Sequence, residues 1–454
     1  MKLKYWILLL FALATAIRLF FNFSQELIPG VNGGYYPLQV RTVLENGRLG
    51  FSDMPLLFYL NAFLLKVISF FGFSITDNLI LNVVKIVDSI SLPVLLFPLN
   101  RIIRLSNLSG ILPISLRAFS VLSFSPLILT SDLQKNALAI VFVFICIAYY
   151  IAYQVDNKKI NLYLSISFLI LSGFTHFGTF VFGLCFLLTM AFYIYRKKAI
   201  IPVTILLTIS LGIVFILDNS RFNRLVSFWT VIFEKPALIN GMLQPPDFLI
   251  ILFSILLAII GFIIFKSKSS SLKPIQKSIL FASIISLLAC SFPFLDGEYF
   301  KRLSLFLFIP QILFIIQISS IINIKQQKTT SIFLFVFTFL SIIAVTGHLK
   351  EAVIDKNAYS DLKKMQSVVE NDNETIVIAR HGLEWWSAWV LKTKVGQDKA
   401  IDKSLFERYE NIIILNQING FSSEMARNPF HEPFAPNDSE LIYSSDFFKA
   451  FKLK

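Results

Sequence analysis

Charge is scarce in this chain. Of its 454 residues only 15% are Asp, Glu, Lys or Arg and 56% are hydrophobic, whereas soluble proteins carry about a quarter charged residues. That shortfall excludes an ordinary soluble domain of this length. Cysteine is also nearly missing. Cys146, Cys185 and Cys290 all lie inside apolar runs without ligand spacing, so neither a disulfide framework nor a cysteine metal site is expected. The short alternating strands of a membrane barrel are not seen. Internal repeats and low-complexity segments are not seen either. The N-terminus, MKLKYWILLLFALATAIRLFFNF, has the look of a signal peptide but no small-residue cleavage site, so it reads as a retained first span.

What is present is a series of apolar runs near 20 residues long, dominated by Phe and Ile, which defines a polytopic helical membrane protein. Spans are expected near Tyr5–Phe23, Asn82–Ile103, Gly110–Leu129, Asn136–Tyr153, Ile160–Phe174 and Gly178–Tyr195. Others follow near Ile201–Leu217, Asp247–Phe265, Ile275–Phe294, Leu303–Ile324 and Ser331–Val345, about eleven in all. The net charge of +13 would suggest nucleic acid in a soluble chain. Here the basic residues cluster in every second loop: Lys2/Lys4, Arg101/Arg104, Lys158/Lys159, Arg196/Lys197/Lys198, Lys266–Lys277 and Lys325/Lys328. This positive-inside alternation puts the N-terminus in the cytoplasm of an inner (plasma) membrane and leaves no role for nucleic acid. It works only if the apolar run Pro55–Phe73, which contains Lys66, is embedded without crossing.

Composition shifts after Gly347, dividing the chain into a membrane domain, 1–347, and a polar domain, 348–454, placed on the outer side by the parity of the spans. The polar part reads as a small α/β unit: a helix over Asp361–Glu370, and buried strands Thr375–Ala379 and Asn411–Leu415 flanking a helix near Glu384–Thr393. The stretch around which the chain is organised is the loop 24–54, with Gln25–Asp53 as its polar body. It is too long for a tight connection, and long ordered loops are usually functional. Further outer loops are Thr130–Asn136, Asp218–Asp247 (with Arg221, Arg224, Trp229, Glu234 and Lys235) and Asp296–Arg302.

Ionisable groups inside spans each need a reason. Arg18 lies near the end of the first span and could snorkel. Lys85 and Asp88, three apart on one helical face, are expected to pair. Arg117 reads as structural, and His176, in a tight turn, as a hydrogen-bonded turn residue before a catalyst. A sugar transfer would need a carboxylate to accept the proton of an attacking hydroxyl and cations to stabilise a departing phosphate. Asp53, Asp132, Asp296 and Glu298 are candidates for the first role, and Lys135, Lys301 and Arg302 for the second. Solvated loop charge is the plain alternative for each. Tyr35, Tyr36 and Tyr59 could line a lipid or sugar path or simply sit at the interface. Trp385, Trp386 and Trp389, after Arg380-His381-Gly382, could stack on a sugar but read better as docking the polar domain on the membrane core.

The order of these motifs resembles the GT-C glycosyltransferases, multispan enzymes that use polyprenyl-phosphate-linked sugars. The resemblance is carried by Gly34-Tyr35-Tyr36, the helix Pro37–Glu45, Gly47, and Asp53-Met54-Pro55 opening a second helix. It continues with Asp132 and Lys135, Thr175-His176, and Arg302 leading into Leu303–Pro310. It implies a GT-C-like all-α membrane fold with a C-terminal domain outside the membrane, a polyprenyl-phosphate sugar donor, and a glycan, lipid or protein acceptor among membrane lipids. Asp53 or Asp132 would be catalytic. Tyr35, Tyr36, Arg41, Lys135, His176, Glu298, Lys301 and Arg302 would bind substrate, with Arg41 orienting the loop. Some members use a divalent metal and others do not, and the scattered acids leave both open. The family usually places an acid, its catalytic base, just before the tyrosines. Here Asn32, Gly33 and Gly34 stand there. Either Asp53 or Asp132 replaces it, or the chain is a silent scaffold of a surface-polysaccharide system. A lipid-linked sugar flippase is a further alternative, though the expected repeats are missing.

Overall fold

The computed structural model describes residues 3–196 and most of 231–453, leaving out 242, 244, 268, 348–349, 370–373, 398–402, 422–434 and 436–438; between 197 and 230 it describes only scattered positions. The expected span Ile201–Leu217 therefore lies largely outside the described residues. Asp218, Arg221, Arg224, Trp229 and His348 lie outside them entirely. The described chain is mostly helical, with one small sheet near its C-terminus.

In chain order the helices are α1 (Leu3–Phe23), α2 (Tyr35–Asn46), α3 (Leu56–Phe70), α4 (Asp77–Ser91), α5 (Leu96–Leu105), α6 (Leu112–Leu122), α7 (Phe124–Ile128) and α8 (Gln134–Asp156). Next come α9 (Lys159–Thr175), α10 (Phe177–Tyr195), α11 (Pro245–Ser267), α12 (Pro274–Cys290), α13 (Gly297–Ser304), α14 (Phe308–Ser319) and α15 (Ile324–Thr346). Among the described residues six helices are long and apolar enough to cross a membrane, or seven if α13 and α14 count as one bent span; four apolar helices are shorter. The expected figure of eleven is not established by length. Two breaks have local causes. Pro93 lacks the N–H that would continue α4, and the chain makes a 3-10 turn over Leu92–Leu95 before α5. The span expected over Leu303–Ile324 is instead a pair bent by 44°. Its second half begins at Phe308, where Pro310 fits the first turn because that N–H has no helical partner anyway.

The chain divides into two compact units. The first comprises Met1–Ala14, Leu92–Leu129 and Ala139–Val345. Its helices approach closely where glycine removes a side chain. A Cβ at Gly261 on α11 would lie 2.5 Å from Phe314 of α14, and one at Gly183 on α10 would lie 2.8 Å from Val143 of α8. Arg117 is buried there and donates to Pro113 O and Asn100 Oδ1, a structural role.

The second unit is assembled from Thr15–Ser91, Thr130–Leu138 and Thr346–Lys454. Its C-terminal part contains α16 (Lys356–Lys364), β1 (Thr375–Ala379), α17 (Leu383–Leu391), β2 (Lys394–Gln397), β3 (Asn411–Gln417), β4 (Glu440–Ser444) and β5 (Phe448–Lys452). The strand order is β2-β1-β3-β5-β4, with β2, β1 and β3 parallel and β5 antiparallel to both β3 and β4. Continuous apolar runs suit central parallel strands, and all five residues of β1 are buried. The helix expected over Asp361–Glu370 lies earlier, because Asp355 caps α16 by accepting from Ala358 N at 2.7 Å.

Candidate functional site

The first loop is tied down by backbone pairing. Gly30 N donates to Glu351 O at 2.9 Å, and the Gln25 side chain accepts from Ala352 N at 2.8 Å and donates to Lys350 O at 3.3 Å. A tight turn follows. Gly33 N donates to Gly30 O and Tyr35 N to Asn32 O, starting α2. Glycine is required in this turn. A Cβ at Gly33 would meet Ile28 O at 2.0 Å, and one at Gly34 would meet the start of α17 at Trp386, 3.0 Å away. This explains why no acid stands just before the tyrosines: at 33 and 34 a side chain has no room.

A carboxylate nevertheless reaches this turn from elsewhere. Gly30 has φ +92°, and a Cβ there would collide with Asp132, whose Cβ would be 2.4 Å away. Asp132 Oδ1 accepts from Asn32 N at 2.7 Å, and Tyr36 Oη donates to Asp132 O at 3.0 Å. Burial, and then the nearby charge of Asp132, hold the Tyr36 phenol well above its ordinary range, so it stays a neutral donor.

A second acid lies at the end of the loop. Asp53 accepts from Tyr35 Oη, from Lys135 Nζ in a close ion pair, and from Met54 N at 2.7 Å. Burial pushes its carboxyl up, but the Lys135 charge and these hydrogen bonds outweigh it and leave the group below the usual carboxylate range. Aromatic rings wall this pair. Tyr35 packs edge-on against Trp385 (4.9 Å between centroids) and Phe58 (5.7 Å), and the Lys135 ammonium lies over the Tyr35 and Phe58 rings. Gln39 closes the loop, its Oε1 accepting from Gly50 N and Phe51 N and its Nε2 donating to Tyr35 Oη and Phe51 O.

Arg41 is buried. It donates to Ala388 O at 3.0 Å and Trp389 O at 2.7 Å and stacks its guanidinium 4.2 Å over the Trp389 ring, pinning α2 to the C-terminal end of α17. Trp386 and Trp389 are buried, and with Trp385 they pack α17 against the first loop and α2 within this unit.

Behind Asp132 lies a buried polar network that corrects two sequence expectations. Arg18 does not snorkel. It is fully buried and donates to Asp88 Oδ1 at 3.2 Å. Nor does Asp88 pair with Lys85. Asp88 Oδ2 accepts from Asn22 Nδ2 (2.8 Å) and Ser131 N (2.9 Å), while Lys85 Nζ donates to the carbonyls of Gln25 and Glu26. The reason is tertiary: α1 supplies a better partner for the acid, and the loop carbonyls supply one for the lysine. Ser131, at φ +71°, completes the network by donating from Oγ to Asn22 Oδ1.

The remaining candidates belong to the first unit. His176 caps α10, its Nδ1 accepting from Thr179 N at 3.1 Å. Glu298 and Arg302 form an exposed i,i+4 pair at 3.1 Å, Lys301 is exposed beside them, and Asp296 caps α13. Among the described residues no group of three or more His, Cys, Asp or Glu side chains is arranged to hold a metal ion.

Sequence reasoning missed Gln39, Asn22 and Ser131 as framework residues, and it also missed His381. The only available signal was their position in or beside the loops. His381 Nδ1 lies 2.9 Å from Glu384 Oε1, a carboxylate that is 1% exposed.

The fold of this chain, mostly helical with a small C-terminal sheet, is similar to that of known structures. Two solved structures show the likeness. ArnT from Cupriavidus metallidurans, bound to undecaprenyl phosphate, matches at a TM-score of 0.56 and 8% identity, over 99% of this chain and 98% of its own. The archaeal oligosaccharyltransferase AglB from Archaeoglobus fulgidus, in complex with an inhibitory peptide and a dolichol-phosphate, matches at 0.57 and 10% identity, over 90% of this chain and 69% of its own. No protein-family profile matches the chain, and no curated protein matches it in sequence.

Proposed function

We propose that the protein is a membrane glycosyltransferase that moves a sugar from a polyprenyl-phosphate donor to an acceptor hydroxyl on the extracytoplasmic face. The observation that carries this reading is the carboxylate of Asp132, seated in the notch at Gly30 and held by Asn32 N. It brings an acid to the turn where the glycines leave no room for one. In the reaction the acceptor oxygen bonds to the anomeric carbon as the bond from that carbon to the phosphate oxygen breaks. The electron pair leaves on the phosphate, and the hydroxyl proton passes to Asp132. Asp53 suits that role less well, because Lys135, Tyr35 and Met54 N already take up its lone pairs and hold it a weak base. The Asp53–Lys135–Tyr35 group would instead shape the donor-binding wall, with Lys135 placed to meet phosphate charge. Arg41 orients the loop through α17. Residues 348–454 would cover the site or select the acceptor, 1–347 would form the membrane scaffold, and the N-terminus would be cytoplasmic. Lys301, Arg302, Glu298 and His176 would contribute to substrate binding from their own unit.

The test is transfer of labelled sugar from a panel of polyprenyl-phosphate donors to cell-surface glycans by purified protein. Asp132→Asn should lower the rate by about 10²–10⁴-fold while donor binding persists. If Asp53→Asn abolishes transfer and Asp132→Asn does not, the base is Asp53. A second reading, a silent scaffold, is favoured by the glycines that replace the usual acid. It predicts that the wild type turns over no donor.

A further inference from the structure

We propose that a polar cavity in the first unit, where α5 and α14 end and α12 and α15 begin, binds the phosphate headgroup of an anionic membrane lipid. The inference concerns the first unit alone and does not depend on the glycosyltransferase reading.

The cavity has a volume of about 370 Å³, and its lining comes from the α5–α6 connection, the approach to α12, the end of α14 and the start of α15. Part of that lining is braced by its own hydrogen bonds. Gln276 Nε2 donates to Ser320 Oγ at 3.2 Å, Gln276 Oε1 accepts from Lys273 N at 2.9 Å, and Gln327 Nε2 donates to Ser319 O at 2.9 Å. The rest is uncommitted. The side chains of Ser106, Asn107 and Ser109 form no hydrogen bond among the described residues. Asn107 is fixed at φ +53° just after α5, its N–H donating to Arg104 O at 3.1 Å. These hydroxyl and amide donors, with the ammonium of Lys273, are open to a guest.

Charge makes that guest an anion. Residues 98–117, 263–280 and 315–330, which supply the lining and its surroundings, contain Lys and Arg but no Asp or Glu. Two of these cations are engaged elsewhere. Arg101 donates to Asn161 Oδ1 and stacks on the Tyr149 ring, and Arg117 is buried on Pro113 O and Asn100 Oδ1. Arg104, Lys273, Lys277, Lys325 and Lys328 pair with no carboxylate among the described residues. Such a basic pocket between helix ends suits a phosphate.

Position makes the anion a lipid. Two candidate membrane spans, Asp77–Leu105 and Ile324–Thr346, meet the cavity at their ends, which places it at headgroup level. The exposed apolar side chains Leu105, Ile111 and Ile324 lie close in sequence to the polar lining. A soluble anion would leave them in water, whereas acyl chains would cover them.

The experiment titrates the full-length protein in detergent with phosphatidylglycerol, with phosphatidylcholine of the same chains, and with inorganic phosphate. Native mass spectrometry reads the bound ligand, and the unfolding midpoint reads its effect. Wild type should bind phosphatidylglycerol saturably, more tightly than phosphatidylcholine, and melt higher with it. Lys273→Gln should weaken that binding about fivefold, and Lys273→Arg should keep it. Asn107→Gly removes the amide while tolerating the positive φ, and it should weaken binding too. Lys158→Gln removes the same charge from an exposed position in another basic loop and should bind as wild type does. Three results overturn the proposal: wild-type affinity in both Lys273→Gln and Asn107→Gly, a loss in Lys158→Gln equal to that in Lys273→Gln, or phosphatidylcholine bound as tightly as phosphatidylglycerol. Inorganic phosphate bound as tightly as phosphatidylglycerol, and weakened by the same substitutions, would overturn the assignment to a lipid.

Discussion

Asp88 shows what a charged residue inside an apolar helix must be given. Its carboxylate accepts from Arg18, Asn22 and Ser131 N, so every partner is supplied by protein. Removing one member of such a buried pair leaves the other uncompensated, which costs about 3–5 kcal/mol. Asp88→Ala should therefore lower the unfolding midpoint in detergent sharply. Asp88→Asn keeps two acceptor contacts and should cost less, and a variant as stable as wild type would mean that Arg18 finds another partner. Asp53 is a different case, a loop acid whose effect depends on pH. Its folded pKa is lowered, so the folded state holds the proton less tightly than the unfolded chain. The stability from its contacts is then full above the ordinary carboxylate value and is lost as pH falls through the lowered one. The stability difference between wild type and Asp53→Asn, measured by unfolding at stepped pH, should shrink only in that acid window. A difference that grew on acidification would contradict the ion pair with Lys135.

At the scale of elements, the junction of α2 with α17 depends on absent side chains as much as present ones. Gly33→Ala places a Cβ 2.0 Å from a backbone oxygen, which cannot move aside as a flexible side chain could. It should cost on the order of 1–3 kcal/mol or more. Gly47→Ala has open space around it and only the strain of φ +69°, about 1 kcal/mol. Thermal unfolding of the two variants side by side separates close packing from backbone strain. Arg41→Lys should also loosen this junction, because an ammonium cannot span two carbonyls and stack on Trp389 together. The elements themselves were legible in the sequence where a single period or a run of residues dictated them. TIVIA and NIIIL form buried strands, as their continuous apolar runs indicate. The partners of Arg18, Lys85 and Asp88 were not legible, because spacing along α4 says nothing about which side chains α1 and the loops bring to it.

At the scale of the molecule, the division by composition, with a membrane part ending near residue 347 and a polar part after it, does not coincide with the compact units. The second unit draws on three separated stretches, and Asp53, Asp132 and Lys135 all fall within it. No local pattern reports such an assembly. Its bonds are main-chain contacts between distant segments, such as Gly30 N to Glu351 O, and carbonyl contacts such as Arg41 to Ala388 and Trp389. These contacts predict how a shortened chain behaves. A chain ended after Val345 keeps every segment of the first unit, but Gly30, Gln25 and Arg41 lose the groups they bind. Hydrogen exchange should then show faster exchange in α2 and in the turn before it, while α8, α10 and α12 stay protected. Co-expression of residues 346–454 as a separate chain should restore part of that protection. Unchanged exchange in α2 after truncation would mean that the loop is held by its own segment, and the C-terminal region would then be a cover for the site without being part of its frame.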